Sequence, residues 1–302
     1  MIGNKMNEKI WQNFKKSFEK GKMSHAYIFC GLSGTGKFEM LEKVIAFVNK
    51  KEFFLGDQNI ILLEREIEEK KGKIRKKDIS VEQVRHAIQK ASFFTNKNEK
   101  KFLIVKEADR LNKSCSNILL KTMEEPKNDT IVILLCEYEK NLLATIRSRC
   151  QKIFFNLAET GEVENYLREK YPDEKEESVL RASCFCRGRH RLAEELLKNP
   201  LLLDEKSQDF ENFKKAIKSS WGEAFELVEK VIKDKEKMFE MIDEWVWSLR
   251  EFLRENLEKG ENEGFQVKVI EMIKCLAKIK NRLKNSNANE KLQLESFFVK
   301  MM

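Results

Sequence analysis

The heptapeptide Gly31-Leu32-Ser33-Gly34-Thr35-Gly36-Lys37 constrains this chain more than any other stretch. It follows the apolar run Ala26–Cys30, which reads as a strand, and precedes Met40, Leu41, Val44, Ile45 and Val48, which recur at helical spacing. Strand, glycine-rich turn and helix in that order make a phosphate-binding loop. The glycines let backbone N–H groups close around an anion, the helix N-terminus favours negative charge, and the lysine reaches the terminal phosphates. Gly31, Gly34, Gly36 and Lys37 are therefore the candidate nucleotide-binding residues, against the plainer reading of a strand–turn–helix with no ligand.

The two groups that would anchor a magnesium ion are missing. The position after Lys37, where a hydroxyl would ligate the ion, is Phe38. The strand Phe102–Val105 should end in an acidic pair, but it ends in Lys106-Glu107-Ala108-Asp109, with a cation where the first acid belongs and only Glu107 kept as a water-activating base. Phosphoryl transfer depends on the metal to neutralise charge between phosphates, so the expectation is no metal site and no ATP hydrolysis by the chain alone. Metal-free nucleotide binding, with Lys106 lending positive charge, stays open.

Buried strands separated by helices continue through the first half: Asn59–Leu63, Phe102–Val105, Ile131–Leu135 and Ile153–Phe155. That alternation implies a parallel sheet covered on both faces. Ser80 and Gln83 have the spacing of a capping box ahead of Val81, Val84 and Ile88, while the charged run Glu64–Asp78, containing Gly72, reads as a solvated loop. Beyond about Leu157 the pattern is helical. Its stripes are Trp221, Phe225, Val228 and Ile232; Phe239, Ile242, Val246, Leu249 and Leu253; and Met272, Ile273, Leu276, Ile279 and Leu283. At 302 residues the chain exceeds one compact core. The expected class is α/β plus α: a P-loop core over 1–157, a small helical lid over 158–204, and a C-terminal helical bundle over 205–302.

Composition narrows the function classes. With 12 Gly and 3 Pro the chain is too poor in turn formers for an all-β protein. A net charge of +8, from 58 Lys+Arg against 50 Asp+Glu, is too slight for a basic arm that coats nucleic acid. No run approaches the roughly 20 apolar residues of a membrane span, and the N-terminus has no secretory apolar stretch. Seven scattered cysteines read as reduced thiols, so a cytoplasmic location is expected. Cys184, Cys186 and His190 are the one close ligand set, but thiols two residues apart on a helix diverge and a fourth ligand is absent, so no zinc is expected. Trp245 and Trp247 read as packing residues rather than base-stacking platforms.

Several motifs together resemble one family. Ser24-His25-Ala26-Tyr27-Ile28-Phe29 before the loop, Ala108-Asp109-Arg110-Leu111, Asn117–Pro126 (NILLKTMEEP) and above all Leu142–Cys150 (LLATIRSRC) are similar to the AAA+ core of bacterial clamp-loader subunits. Ile79–Arg85 (ISVEQVR) fits the same pattern, and Asn287–Glu295 (NANEKLQLE) resembles the last helix of that family's C-terminal collar. The likeness is dense from Met23 to about Cys150 and looser beyond. Gamma/tau-type members keep intact metal-binding motifs, whereas delta-prime-type members are often defective, so Phe38 and Lys106 put this chain on the delta-prime side.

The resemblance implies a subunit of the DNA polymerase III clamp loader, which opens a ring-shaped sliding clamp and closes it around primed DNA. It implies gamma/tau and delta subunits as partners, with the clamp and primer–template DNA reached through the complex and no membrane. It also implies that Arg149 of Ser148-Arg149-Cys150 points toward ATP held by a neighbouring subunit and acts as a finger in trans. A planar guanidinium suits that task because it pairs bidentately with phosphate oxygens. The plainer reading of Arg149 is a salt-bridged residue at a strand end. Arg191, in Gly188–Ala193 (GRHRLA), resembles a second sensor arginine, or is simply the basic start of a helix. Cys150 reads as a packing residue and not a nucleophile. The zinc module of four cysteines that many relatives carry is absent, since 48–66 contains none. Two alternatives stand beside the non-hydrolysing subunit: an autonomous gamma/tau-like AAA+ ATPase with unusual metal ligands, and a helical adaptor with a vestigial P-loop.

Overall fold

The computed structural model describes residues 5–70, 73–93, 99–126, 129–218, 221–259 and 263–301. Contacts along the chain divide it into two compact units, Met1–Tyr166 with Arg189–Arg191, and Leu167–Gly188 with Leu192–Met302.

The first unit is built on five parallel strands: β1 (Ala26–Cys30), β2 (Ile60–Leu63), β5 (Lys101–Val105), β6 (Thr130–Cys136) and β7 (Gln151–Phe154), in the order β2-β5-β6-β1-β7. Strands β3 (Glu66–Lys70) and β4 (Lys73–Lys77) form a separate antiparallel pair. The helices of this part are α1 (Lys5–Glu19), α2 (Lys37–Asn49), α3 (Val81–Ser92), α4 (Lys113–Glu124) and the single turn α5 (Ala144–Arg147). β1, β5 and β6 are buried along their whole length, which is why they are apolar on both faces after the first residues of β5 and β6, Lys101 and Thr130. Successive side chains nevertheless go to opposite faces. Ala26, Ile28 and Cys30 join Leu103, Val105, Val132 and Leu134 in a core closed by Val84 and Ala87 of α3 and by Leu119 and Met123 of α4. Tyr27 and Phe29 join Phe102, Ile104 and Ile133 in a second core, closed by Trp11 and Phe14 of α1 and by Met40, Leu41, Val44 and Ile45 of α2.

All five strands expected from the sequence are present and the capping box is formed, but the last strand, expected buried over Ile153–Phe155, is β7 at the edge of the sheet over Gln151–Phe154, with Phe154 exposed. Gln83 N–H donates to Ser80 Oγ at 3.1 Å, and Ser80 N–H donates to Gln83 Oε1 at 2.7 Å. The solvated loop expected over Glu64–Asp78 is instead the β3–β4 pair. Its register sets Glu66 opposite Lys77 and Ile67 opposite Lys76. Gly72, at the centre of that run, lies outside the described residues.

The later helices are α6 (Thr160–Lys170), α7 (Glu176–Phe185), α8 (His190–Lys198), α9 (Pro200–Lys218), α10 (Trp221–Val231), α11 (Lys235–Lys259), α12 (Glu263–Asn285) and α13 (Glu290–Met301). The second unit has its own aromatic core. Phe213 of α9 stacks on Trp245 of α11 with ring centroids 4.5 Å apart, and Phe297 and Phe298 of α13 complete the cluster. Trp245 is thus a packing residue. The buried stripe of α10 is Ala224, Leu227, Val228 and Val231, and Trp221, expected in that stripe, stands 57% exposed at the start of the helix. In α11 the buried stripe is Met238, Ile242, Trp245 and Leu249, with Phe239 and Val246 half-buried beside it. Among the described residues no helix is long and apolar enough to cross a membrane.

Candidate functional site

The glycine-rich loop leaves the carboxyl end of β1 and leads into α2, which begins at Lys37. Its glycines answer to crowding. A Cβ on Gly31 would lie 2.3 Å from the Phe155 carbonyl oxygen. Gly36 caps α2 with φ +88, a left-handed conformation that favours glycine, and a Cβ there would lie 2.7 Å from His190 Nε2 and 2.9 Å from Asn7 Nδ2. The loop is held by a bond within it and by bonds to β6 and α1. Gly31 N–H donates to the Cys136 carbonyl at 3.1 Å, Thr35 Oγ1 donates to the Leu32 carbonyl at 2.8 Å, and Asn7 Nδ2 donates to the Thr35 carbonyl at 3.0 Å.

Lys37 does not extend into open space. Its ammonium donates to the Leu32 carbonyl at 2.7 Å and to the Gly31 carbonyl, both within its own loop. Burial pulls its pKa below the ordinary lysine value, and the nearby Glu137 carboxylate partly opposes that. A cavity of about 390 Å³ lies beside the loop, lined by Lys37, Phe38, Glu39, Lys106, Glu137 and Arg191 among others.

The residues in the two metal-anchor positions touch each other. The Lys106 ammonium sits 4.9 Å from the centroid of the Phe38 ring and 2.7 Å from Glu64 Oε2. The Phe38 ring also meets Phe53 edge-on, with centroids 5.9 Å apart. Hydrocarbon and ammonium thus stand where a divalent cation needs oxygen ligands, and these residues do not fit magnesium. Glu107 is equally committed: Lys76 Nζ is 2.9 Å from one carboxylate oxygen, and Arg65 and Arg110 are 3.3 Å and 3.4 Å from the other. Burial acts to raise its pKa, but the bonds and charges of Lys76 and Arg65 outweigh burial and hold the carboxyl below its ordinary value. It is a clamped anion and not a poised base. No group of three or more His, Cys, Asp or Glu able to hold a metal occurs among the described residues.

Arg149 lies at the other end of the LLATIRSRC segment. Its guanidinium pairs with Glu124 Oε1 of α4 at 2.7 Å and donates to the Thr145 carbonyl at 3.1 Å, with the side chain 39% exposed. Cys150 beside it is half-buried, and burial pushes its thiol up to about 11, which suppresses the thiolate a nucleophile needs. Arg191 does reach the glycine loop: its N–H donates to the Gly34 carbonyl at 3.4 Å, and its guanidinium lies 3.6 Å from Glu39. His190, weighed in the sequence as a zinc ligand, is buried with Nε2 3.2 Å from Glu39 and its ring edge-on to Tyr166, centroids 5.6 Å apart. Cys184 is exposed while Cys186 is buried. Sequence reasoning missed Asn7, which binds the loop from a distant position, and Glu39, which holds His190 and Arg191 beside it. A polar residue two places past the P-loop lysine was the one signal available for Glu39.

The model of the family described as "DNA polymerase III, delta subunit" matches residues 6–159, just over half of the chain. The chain belongs to that family. Within it the chain is delta-prime-like: it is 29% identical to DNA polymerase III subunit delta' of Bacillus subtilis over 55% of this chain and 53% of that protein. It is 36% identical to the delta' subunit of Haemophilus influenzae over 44% of this chain and 41% of the relative. The chain spans about half the length of the curated relatives it matches. Among solved structures, a DNA polymerase III gamma-subunit-related protein from Thermotoga maritima is similar over 98% of both chains, at 19% identity and a TM-score of 0.49. The α/β core with its P-loop and parallel sheet, followed by helices to the C-terminus, is the fold class expected from the motifs.

Proposed function

We propose that this chain is the non-hydrolysing subunit of a DNA polymerase III clamp loader, one that scaffolds the complex and offers Arg149 to ATP held by a neighbouring subunit. The observation that carries the reading is the Phe38–Lys106 contact, which fills the metal position of the chain's own P-loop. A subunit without a metal site contributes to phosphoryl transfer only through what it presents outward. Arg149 suits that role because its present partners are modest. An exposed ion pair is worth about 0.2–1 kcal/mol, less than a guanidinium gains on a desolvated triphosphate. In GTPase systems a finger in trans contributes about 10³–10⁵ in rate.

In this reading the partners are gamma/tau and delta subunits, and the sliding clamp and primer–template DNA are met through the complex in the cytoplasm. The chain divides functionally into the core, a lid over 158–204 and an oligomerising collar over 205–302. ATP belongs to the neighbours, and no zinc is needed. Arg191, bound to Glu39 beside the loop, has no hydrolysis of its own to sense and serves to close the loop.

The test is reconstitution with gamma/tau and delta subunits. The isolated chain should show no ATPase, and Arg149→Ala should assemble normally while DNA-stimulated ATPase and clamp loading fall at least tenfold. Full activity of the Arg149→Ala complex would remove the finger role. Turnover by the isolated chain would favour the gamma/tau-like alternative.

A further inference from the structure

The missing metal anchors do not by themselves close the glycine loop, because backbone N–H groups and a lysine bind phosphate without any metal. What stands in the loop is a carboxylate. Ser33 N–H donates to Glu137 Oε1 at 3.1 Å across 104 residues of sequence. Glu137 lines the cavity beside Lys37, so its negative charge lies where a phosphate would enter.

Its position is built. β6 ends at Cys136, whose carbonyl accepts from Gly31 N–H, so the loop and the end of β6 are tied one residue before Glu137. The Glu137 carbonyl accepts from the Cys30 thiol at 3.4 Å. Asp109 Oδ2 accepts from the backbone N–H of Glu137 at 3.3 Å and of Tyr138 at 3.2 Å, fixing the turn that aims the side chain. The remaining cations around the cavity are answered from within: Lys37 by loop carbonyls, Lys106 by Glu64, and Arg191 by Glu39.

We infer that Glu137 is the residue that excludes phosphate from this loop, an internal anion seated on the Ser33 N–H and held there by Asp109. The metal-anchor substitutions at Phe38 and Lys106 abolish catalysis, whereas Glu137 abolishes occupancy. A phosphoanion entering the loop must displace a tethered carboxylate of the same charge sign, which competes for the Ser33 N–H as an intramolecular ligand.

Inorganic pyrophosphate without divalent cation is the probe, titrated calorimetrically into the full chain. Wild type should bind no tighter than millimolar. Glu137→Ala, which removes both charge and occupant, should bind at least tenfold tighter, and Lys37→Ala added to it should cancel the gain. Phe38→Thr with Lys106→Asp, which restores the anchors but keeps Glu137, should stay closed to pyrophosphate with or without magnesium. Should Glu137→Ala unfold, Glu137→Gln keeps the shape and loses the charge, and it should show a smaller gain of the same sign. Tight binding by wild type, opening by the anchor double variant alone, or no gain in either Glu137 variant would overturn the inference. Each readout is on the isolated chain, so it is independent of whether the clamp-loader reading holds.

Discussion

Lys106 Nζ lies 4.9 Å from the ring centroid of Phe38, so the two departures from a working metal site are one interacting pair. Either residue alone would spoil magnesium binding, but together they fill the space with a contact that has its own energy. An ammonium over an aromatic face contributes about 0.5–1 kcal/mol at exposed sites. Lys106 is also paired with Glu64, so a single substitution reports two interactions at once. A double-mutant cycle with Phe38→Leu and Lys106→Met should isolate a coupling of about 0.5–1 kcal/mol in urea unfolding. A coupling of zero would mean that the ring and the ammonium are merely adjacent.

Alanine should destabilise at Gly36 and not at Gly161. A Cβ at Gly36 meets His190 and Asn7 below 3.0 Å, on a backbone with φ +88, whereas one at Gly161, in the first turn of α6, meets nothing within 4 Å. Forcing an L-residue into the left-handed region costs about 1–2 kcal/mol before any clash. Gly36→Ala should therefore lower the thermal midpoint by several degrees, and Gly161→Ala should leave it unchanged or raise it through helix propensity. Differential scanning calorimetry of both variants checks the pair. Equal effects would deny that Gly36 is packed against His190.

The central strands were legible because burial on both faces demands unbroken apolar runs, and Ala26–Cys30 meets its boundaries residue for residue, whereas the exposed edge strand β7 starts two residues before its apolar run. The Ser80 box was legible because it is local, three residues from cap to partner. The β3–β4 pair was not. Its strands, EIEEK and KIRKK, carry charges in place of an apolar run, and such a stretch reads equally as solvated chain. The site divides along the same line. That Phe38 and Lys106 break the motif is visible in the letters, but their mutual contact is not. Nor is the Glu39–His190 bond, which joins residues 151 positions apart. Trp221 failed for a third reason: a stripe drawn by spacing alone does not reveal where the helix begins, and a first-turn residue need not face the core.

Thiol reactivity should follow burial. Cys184 is exposed, whereas burial raises the pKa of Cys115 and Cys136 above the ordinary thiol value and pushes Cys150 up to about 11. Only the thiolate alkylates at a useful rate, and at pH 8 a thiol near 11 is about a thousandth ionised. Iodoacetamide at pH 8 followed by peptide mass mapping should label Cys184 first, with Cys150 trailing by at least a hundredfold. Early modification of Cys150 would contradict its packing role and reopen it as a nucleophile.

Glu107 gives the fold a pH dependence of defined sign. Lys76 and Arg65 hold its carboxyl below the ordinary value of 4.5, so the folded chain keeps this group ionised at pH values where the unfolded chain has begun to take up the proton. The folded state therefore binds fewer protons through that window, and stability rises with pH across it. The contribution is fully present above the ordinary value and is lost as pH falls through the lower, folded value. Glu107→Gln removes it altogether while keeping the side chain's shape and length. The stability difference between wild type and this variant, measured by urea unfolding, should be constant from about pH 8 to 5 and should shrink steadily below that. Lys76→Met should show the same convergence with a smaller plateau, because Arg65 remains on the carboxylate. A difference that persists unchanged at acid pH would mean that the clamp acts through packing and not through charge.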